Sequence, residues 1–274
     1  IGYKALAVNL SDLAAAGAIP RAFFLTIGLP ARDDAWLAGF TKGMTELSRQ
    51  AGCPLLGGDT TRTAKVGDIH APVTISITAM GELPQSMGLT RSGARPGDDI
   101  WVSGCVGGAW AALMHRWGKL TLDARVFPAA ALAMDRPNPR NALGTALLSS
   151  ATACADISDG LAQDLGHILE RSGVDADVLW DAVPKHPALA ALSQEQQVEA
   201  AMSGGDDYEL VFTAPADKRG LIEQASISAL TPVTRIGRIV EKKPSGAPLA
   251  IRDASGRPLF LPVQGFDHFA QSAD

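Results

Sequence analysis

The stretch Ala155-Asp156-Ile157-Ser158-Asp159-Gly160-Leu161 constrains the fold most, because two hydrophobic periods meet there. Residues 151–157 are small and apolar, the pattern of a buried strand that ends where the polar residues begin. From Leu161 onward, Leu165, Ile168 and Leu169 recur at helical spacing, so one face of a helix is buried. Asp159 is expected to start that helix, since its oxygens can accept from free amides and favour the positive end of the helix dipole. Gly160 leaves room for a ligand or another backbone. A capped turn accounts for one aspartate. A second carboxylate at Asp156, with Ser158 pointing the same way, equally suits a hard cation or a phosphate. On these residues both readings stand.

The whole chain narrows the partners. Its 274 residues are 46% hydrophobic, enough for a large core and either two domains or one with a substantial extension. The net charge is −5 and the 24 Lys and Arg are scattered, so no nucleic-acid partner is expected. An anion would have to be held by local amides, a few cations or a metal. No apolar run approaches the ~18 residues of a membrane span, so no membrane partner is expected. Cys53, Cys105 and Cys154 are isolated, which argues against a disulfide framework or zinc site and for the reducing cytoplasm. The histidines lack metal-ligand spacing, and His167 reads as structural. The opening Ile1-Gly2-Tyr3-Lys4 lacks both a starting Met and a signal-peptide pattern, so the chain is expected to begin inside a longer protein.

Residues 3–17 read as a helix burying Leu6, Leu10, Leu13 and Ala14, with Asn9 and Asp12 together on one side. That pair is either an exposed polar face or part of a site. A strand at 23–27 follows, then a helix capped by Asp33 or Asp34 with a core stripe of Trp36, Leu37, Phe40, Met44 and Leu47. A short strand then runs into a loop of Gly57, Gly58 and Asp59, which is a glycine turn or a place where backbone, hydroxyls and Arg62 meet a phosphate or its metal. Residues 73–80 alternate like a half-buried antiparallel strand. The turn-rich run 90–99 is the candidate boundary between domains 1–95 and 96–274, and its Arg91 is a linker charge or a phosphate clamp.

Beyond the boundary the pattern gives a strand at 100–104, helices at 108–117 and 142–148, and a strand at 178–180. A helix at 195–202 leads into Gly204-Gly205-Asp206-Asp207-Tyr208-Glu209, which opens a strand. A helix at 218–229 and strands at 233–240, 249–252 and 258–261 complete the series. The chain thus has three separated glycine-and-carboxylate loops, but no Walker loop and no dinucleotide fingerprint. A nucleotide bound here would need metal ions held by aspartates in place of a lysine cradle.

Six segments together resemble one family. They are Asn9-Leu10-Ser11-Asp12-Leu13-Ala14, Gly57-Gly58-Asp59-Thr60-Thr61, Arg91-Ser92-Gly93-Ala94, Asp156-Ile157-Ser158-Asp159-Gly160-Leu161, Gly204-Gly205-Asp206-Asp207-Tyr208-Glu209-Leu210 and Gly265-Phe266-Asp267-His268-Phe269. In this order they resemble the thiamine-monophosphate kinases, relatives of aminoimidazole ribonucleotide synthetase and selenophosphate synthetase. The resemblance implies an α/β (α+β) fold of two domains, the first pairing its sheet across a homodimer, with ATP and several magnesium ions in the cleft. It implies transfer of the γ-phosphoryl of ATP to thiamine monophosphate. By motif, Asp12, Asp59, Asp156 and Asp159 are the implied magnesium ligands. Gly58, Asp59, Arg91 and Ser158 are the implied ATP contacts, and Asp206 and Phe266 the implied thiamine contacts. No general base is implied beyond metal and substrate positioning. The family usually has Glu where Asp206 stands. It also carries about sixty further residues ahead of the first match, well under one domain length, with more metal ligands and a strand of the dimer sheet. The alternatives are a non-catalytic nucleotide-binding fragment and a related ATP-dependent synthetase of purine or selenium metabolism.

Overall fold

The structure is a computed structural model and describes residues 1–67, 69–84 and 88–259. Helix α1 (Gly2–Ala15) buries Leu6, Ala7, Leu10, Ser11 and Ala14, close to the stripe that the spacing predicts. Strand β1 (Ile19–Leu29) follows, then α2 (Asp34–Gln50), whose start is capped by Asp33 accepting from the Trp36 amide at 3.0 Å. Helix α2 is the crossover that lets β2 (Leu55–Arg62) run parallel to β1. After a small hairpin, β3 (Lys65–Val66) and β4 (Ile69–His70), strand β5 (Thr74–Glu82) pairs antiparallel with the other edge of β1. The sheet order is β2-β1-β5. Helices α1 and α2 cover one face through Leu6, Leu10, Phe23, Ile27, Phe40, Met44 and Leu47. Phe24, Leu55, Leu56 and Met80 are exposed.

The glycine pair expected in a loop lies inside β2 instead. The β1–β2 register slips between Phe23 and Phe24, and a Cβ at Gly58 would stand 1.7 Å from the Leu25 carbonyl oxygen. Only glycine lets the two backbones approach this closely, so the residues that look like a turn serve a bulged strand pair.

A second sheet of six strands contains β6 (Asp99–Ser103), β7 (Ala153–Asp156), β8 (Asp175–Leu179), β9 (Leu210–Ala214), β10 (Val233–Val240) and β11 (Leu249–Arg252). Its order is β11-β8-β10-β6-β9-β7, antiparallel except for the β11–β8 pair. Strands β6 and β9 are buried throughout because helices cover both faces. Ile100, Val102 and Val211 face one core with Leu161, Leu165 and Ile168, while Trp101, Leu210 and Phe212 face another with Leu143, Leu147 and Ile222. The helices of this half are α3 (Gly108–Arg116), α4 (Phe127–Asp135), α5 (Asn141–Ala146), α6 (Leu161–Ser172), α7 (Gln194–Val198) and α8 (Arg219–Ser228). The helix expected over 195–202 divides into α7 and a π-helical turn, Glu199–Ser203, and the one expected over 142–148 into α5 and a 3₁₀ turn, Leu147–Ser149. Of the strand expected over 258–261, an isolated bridge between Pro258 and Arg252 lies within the described residues. Ala14 of α1 joins the second core, and Asn141 of α5 donates to the Leu10 carbonyl at 2.8 Å, so α1 bridges the two sheets. No helix among the described residues is long and apolar enough to cross a membrane.

Candidate functional site

Strand β7 ends at Asp156, a buried carboxylate on the edge strand of the large sheet. Ser11, on the buried side of α1, donates its hydroxyl to Asp156 Oδ2 at 2.7 Å. Burial raises the Asp156 carboxyl above its ordinary range; the Ser11 bond opposes that, the Asp12 charge adds to it, and Arg91 opposes it. Asp12, which follows Ser11 on α1, and Arg91 therefore lie near enough to Asp156 for their charges to act on it. Arg91 is exposed, and its carbonyl accepts from Ser172 Oγ at 3.3 Å.

The turn after β7 is built differently from the expectation. Asp159 does not cap α6: Gly160 holds the N-cap position with φ +115°, and no side chain caps from there. Asp164, one turn inside the helix, reaches back with Oδ2 to the amides of Ser158 and Asp159, each at 3.0 Å. A Cβ at Gly160 would stand 2.8 Å from the Met202 carbonyl oxygen, so the left-handed turn and the neighbouring chain both require glycine. Burial above all pushes the Asp164 carboxyl up to about 7. With the capping role taken, Asp159 accepts, among the described residues, from Gln163 Nε2 at 3.4 Å.

The third glycine-and-carboxylate segment lies directly against this turn. Asp206 N donates to the Ser158 carbonyl at 2.7 Å, Tyr208 N to the Ile157 carbonyl at 2.8 Å, and Ile157 N to the Glu209 carbonyl at 2.8 Å. Asp206 and Tyr208 hold left-handed φ values of +66° and +53°, rare for such side chains and typical of functional loops. Lys4 of α1 forms an ion pair with Asp206. Two neighbours are structural. Asp207 accepts the Gly107 amide with both oxygens, at 2.9 and 3.0 Å, at the start of α3. Glu209 takes a two-pronged bond from Arg140, at 2.7 and 2.5 Å, and the Ser103 hydroxyl at 2.5 Å.

Asp12, Arg91, Asp156, Ser158, Asp159 and Asp206 are thus gathered around one junction. Gly58 and Asp59 lie on β2, where Asp59 is exposed and pairs in register with Thr26; no hydrogen bond or ion pair joins Asp59 to the other aspartates among the described residues. Phe266 lies outside the described residues. Spacing alone does not single out Lys4, Tyr208, Asp164 or Arg140. Asp164 had one signal, an acid in the first turn of a helix.

The donors are hard carboxylate oxygens, and two of them, Asp12 and Asp156, repel each other. A divalent cation would relieve that repulsion. Among the described residues no group of three or more His, Cys, Asp or Glu is placed to hold a metal ion.

Residues 1–83 match the family pattern of AIR synthase related protein, N-terminal domain, and residues 95–248 that of AIR synthase related protein, C-terminal domain. The thiamine-monophosphate kinase of Escherichia coli K12 is 39% identical over 98% of this chain and 80% of its own length. The crystal structure of thiamine-monophosphate kinase from Stenotrophomonas maltophilia superposes with a TM-score of 0.83 at 41% identity, over 92% of this chain and 78% of its own. AaThiL complexed with AMPPCP and TMP superposes with a TM-score of 0.80 at 27% identity, over 98% of this chain and 80% of its own. The chain belongs to the thiamine-monophosphate kinase family of the AIR synthase related proteins.

Proposed function

We propose that this protein transfers the γ-phosphoryl group of ATP to the phosphate of thiamine monophosphate, giving thiamine diphosphate. The observation that carries the reading is the junction itself, where the buried, serine-tied Asp156 meets the charges of Asp12 and Arg91 beside the Asp206 loop. A family relative bound to AMPPCP, an ATP analogue, and to TMP supports both substrates. Asp12, Asp59, Asp156 and Asp159 are the residues that would hold magnesium, which would neutralise phosphate oxygens of both reactants. The protein's own part is positioning. Gly58, Asp59, Arg91 and Ser158 orient ATP, and Asp206 and Phe266 orient the thiamine part of the acceptor. An acceptor phosphate with a second pKa of ~6 is already ionised near neutral pH, so holding two polyanions in line does the work that a general base does elsewhere.

In this reading residues 1–95 form the metal- and ATP-binding domain and 96–274 the second α/β domain. The exposed apolar residues of the small sheet, Phe24, Leu55, Leu56 and Met80, support its use in a homodimer. Three unpaired cysteines support work in a reducing cytoplasm.

The test is conversion of thiamine monophosphate by the full-length protein with ATP and magnesium, followed by chromatography of the thiamine esters. Thiamine diphosphate and ADP in equal amounts are expected. ATP binding without thiamine diphosphate overturns the reading in favour of a nucleotide-binding module.

A further inference from the structure

We propose that Lys4 recognises the phosphate of the acceptor, and that the Lys4–Asp206 ion pair is the resting form of a subsite for a ligand bearing both a cationic ring and a phosphate. The proposal rests on the kinase reading above and on Asp206 as a contact to the thiamine part.

Lys4 stands in the first turn of α1, a helix with no acidic residue in that turn. The helix dipole disfavours a cation there, so helix stability does not account for the residue. Its side chain instead crosses from α1 to a loop 202 residues away and meets the Asp206 carboxylate. The two side chains are 26% and 38% exposed, shielded enough for their charges to matter and open enough for a ligand to reach both. The ammonium also lies 5.9 Å from the centre of the Tyr208 ring. The Asp206 loop is fixed against the Ile157–Ser158 turn by two backbone hydrogen bonds of 2.8 and 2.7 Å. The ion pair therefore sits at a fixed place beside the turn that follows Asp156 and carries Asp159.

Thiamine monophosphate carries a thiazolium cation and a phosphate. A protein pair of one carboxylate and one ammonium is the opposite arrangement of charges, so the ligand's cation and one of the phosphate's two negative charges can exchange partners with the pair. The thiazolium, which has no N–H to donate, takes Asp206 and the Tyr208 face by charge. The phosphate takes the three N–H donors of Lys4. ATP makes no demand on this pair.

The experiment compares wild type, Lys4→Gln and Lys4→Arg by calorimetric titration with thiamine monophosphate, with unphosphorylated thiamine and with magnesium–ATP, alongside steady-state kinetics. Lys4→Gln is expected to weaken thiamine monophosphate binding and raise its KM by about tenfold or more. Thiamine and ATP affinities should stay within about twofold, and Lys4→Arg should recover most of the loss. Equal weakening for thiamine and its phosphate would mean that Lys4 only shapes the Asp206 loop, and overturns the proposal. So does an unchanged affinity for thiamine monophosphate, or a loss confined to ATP. A wild-type protein that binds thiamine monophosphate but forms no diphosphate overturns the kinase reading instead, and the binding comparison still decides the role of Lys4.

Discussion

The hydroxyl of Ser11 donates to the carboxylate of Asp156 at 2.7 Å across 145 residues of sequence, and both groups are buried. This one bond fixes α1, which lies on the small sheet, against the last residue of β7 in the large one. It also leaves the other Asp156 oxygen without the serine, in a carboxyl that the Asp12 charge pushes up and the Arg91 charge pulls down. The junction of the two sheets and the carboxylate assigned to magnesium in the proposed function are therefore the same piece of structure.

Asp156→Asn and Asp12→Asn are expected to abolish phosphoryl transfer while the fold survives. An asparagine at 156 can still accept from Ser11, so the far-ultraviolet circular dichroism and melting temperature should stay close to wild type. Ser11→Ala should cost about 1 kcal/mol of stability for the lost bond. It should also raise the magnesium concentration needed for half-maximal rate, since that bond helps keep Asp156 ionised against burial. Near wild-type turnover in either aspartate variant would refute its assignment.

Arg140 and Glu209 form the most buried ion pair at the site, with side chains 16% and 8% exposed. Arg140→Ala strands a buried carboxylate beside Ser103 and should destabilise the protein by roughly 3–5 kcal/mol in urea unfolding. Arg140→Lys keeps the charge but loses the two-pronged geometry, and should fall between the two.

Periodicity made most of the helices and strands legible, but not α4 or the β3–β4 hairpin. The stripe on α1, the Asp33 cap of α2 and the burial of Leu161, Leu165, Ile168 and Leu169 all follow from local spacing. The junction was legible only as short motifs, because what joins them is long-range. The Ser11–Asp156 and Lys4–Asp206 pairs depend on how α1 lies across two sheets, and no local pattern encodes that. The capping error has the same root. Gly160 holds the N-cap position with the backbone at Met202, far along the chain, too close for any Cβ there, and Asp164 takes the amides that Asp159 was expected to serve.

Asp164 should therefore tolerate only residues that keep an acceptor. Asp164→Asn preserves an oxygen for the Ser158 and Asp159 amides, and should leave melting close to wild type. Asp164→Leu fills similar space but leaves those amides unpaired, at a cost of about 1–3 kcal/mol each where water cannot reach them. Because these amides shape the turn that carries Asp159, Asp164→Leu should also weaken magnesium-dependent ATP binding, measured by calorimetry below its melting temperature.

Asp99, at the start of β6, sets part of the acid limit of the fold. Its carboxyl is 5% exposed and accepts from Arg219 at 2.5 and 2.9 Å and from Arg235 at 3.2 Å. Burial alone would raise it, but the two guanidinium groups outweigh burial and hold it below the ordinary 3.8. A carboxyl with a depressed folded value contributes stability that is fully present above its unfolded value and is lost as pH falls through the folded one. Asp99→Asn should thus cost about 1–3 kcal/mol at pH 7, for the loss of charge-assisted bonds whose arginine partners can rehydrate. The difference should shrink as pH falls below the ordinary carboxylate range, where wild type protonates Asp99 too. Urea melts of both proteins across the acid range check this: a gap that stays constant with pH would mean that the pair acts through shape rather than charge.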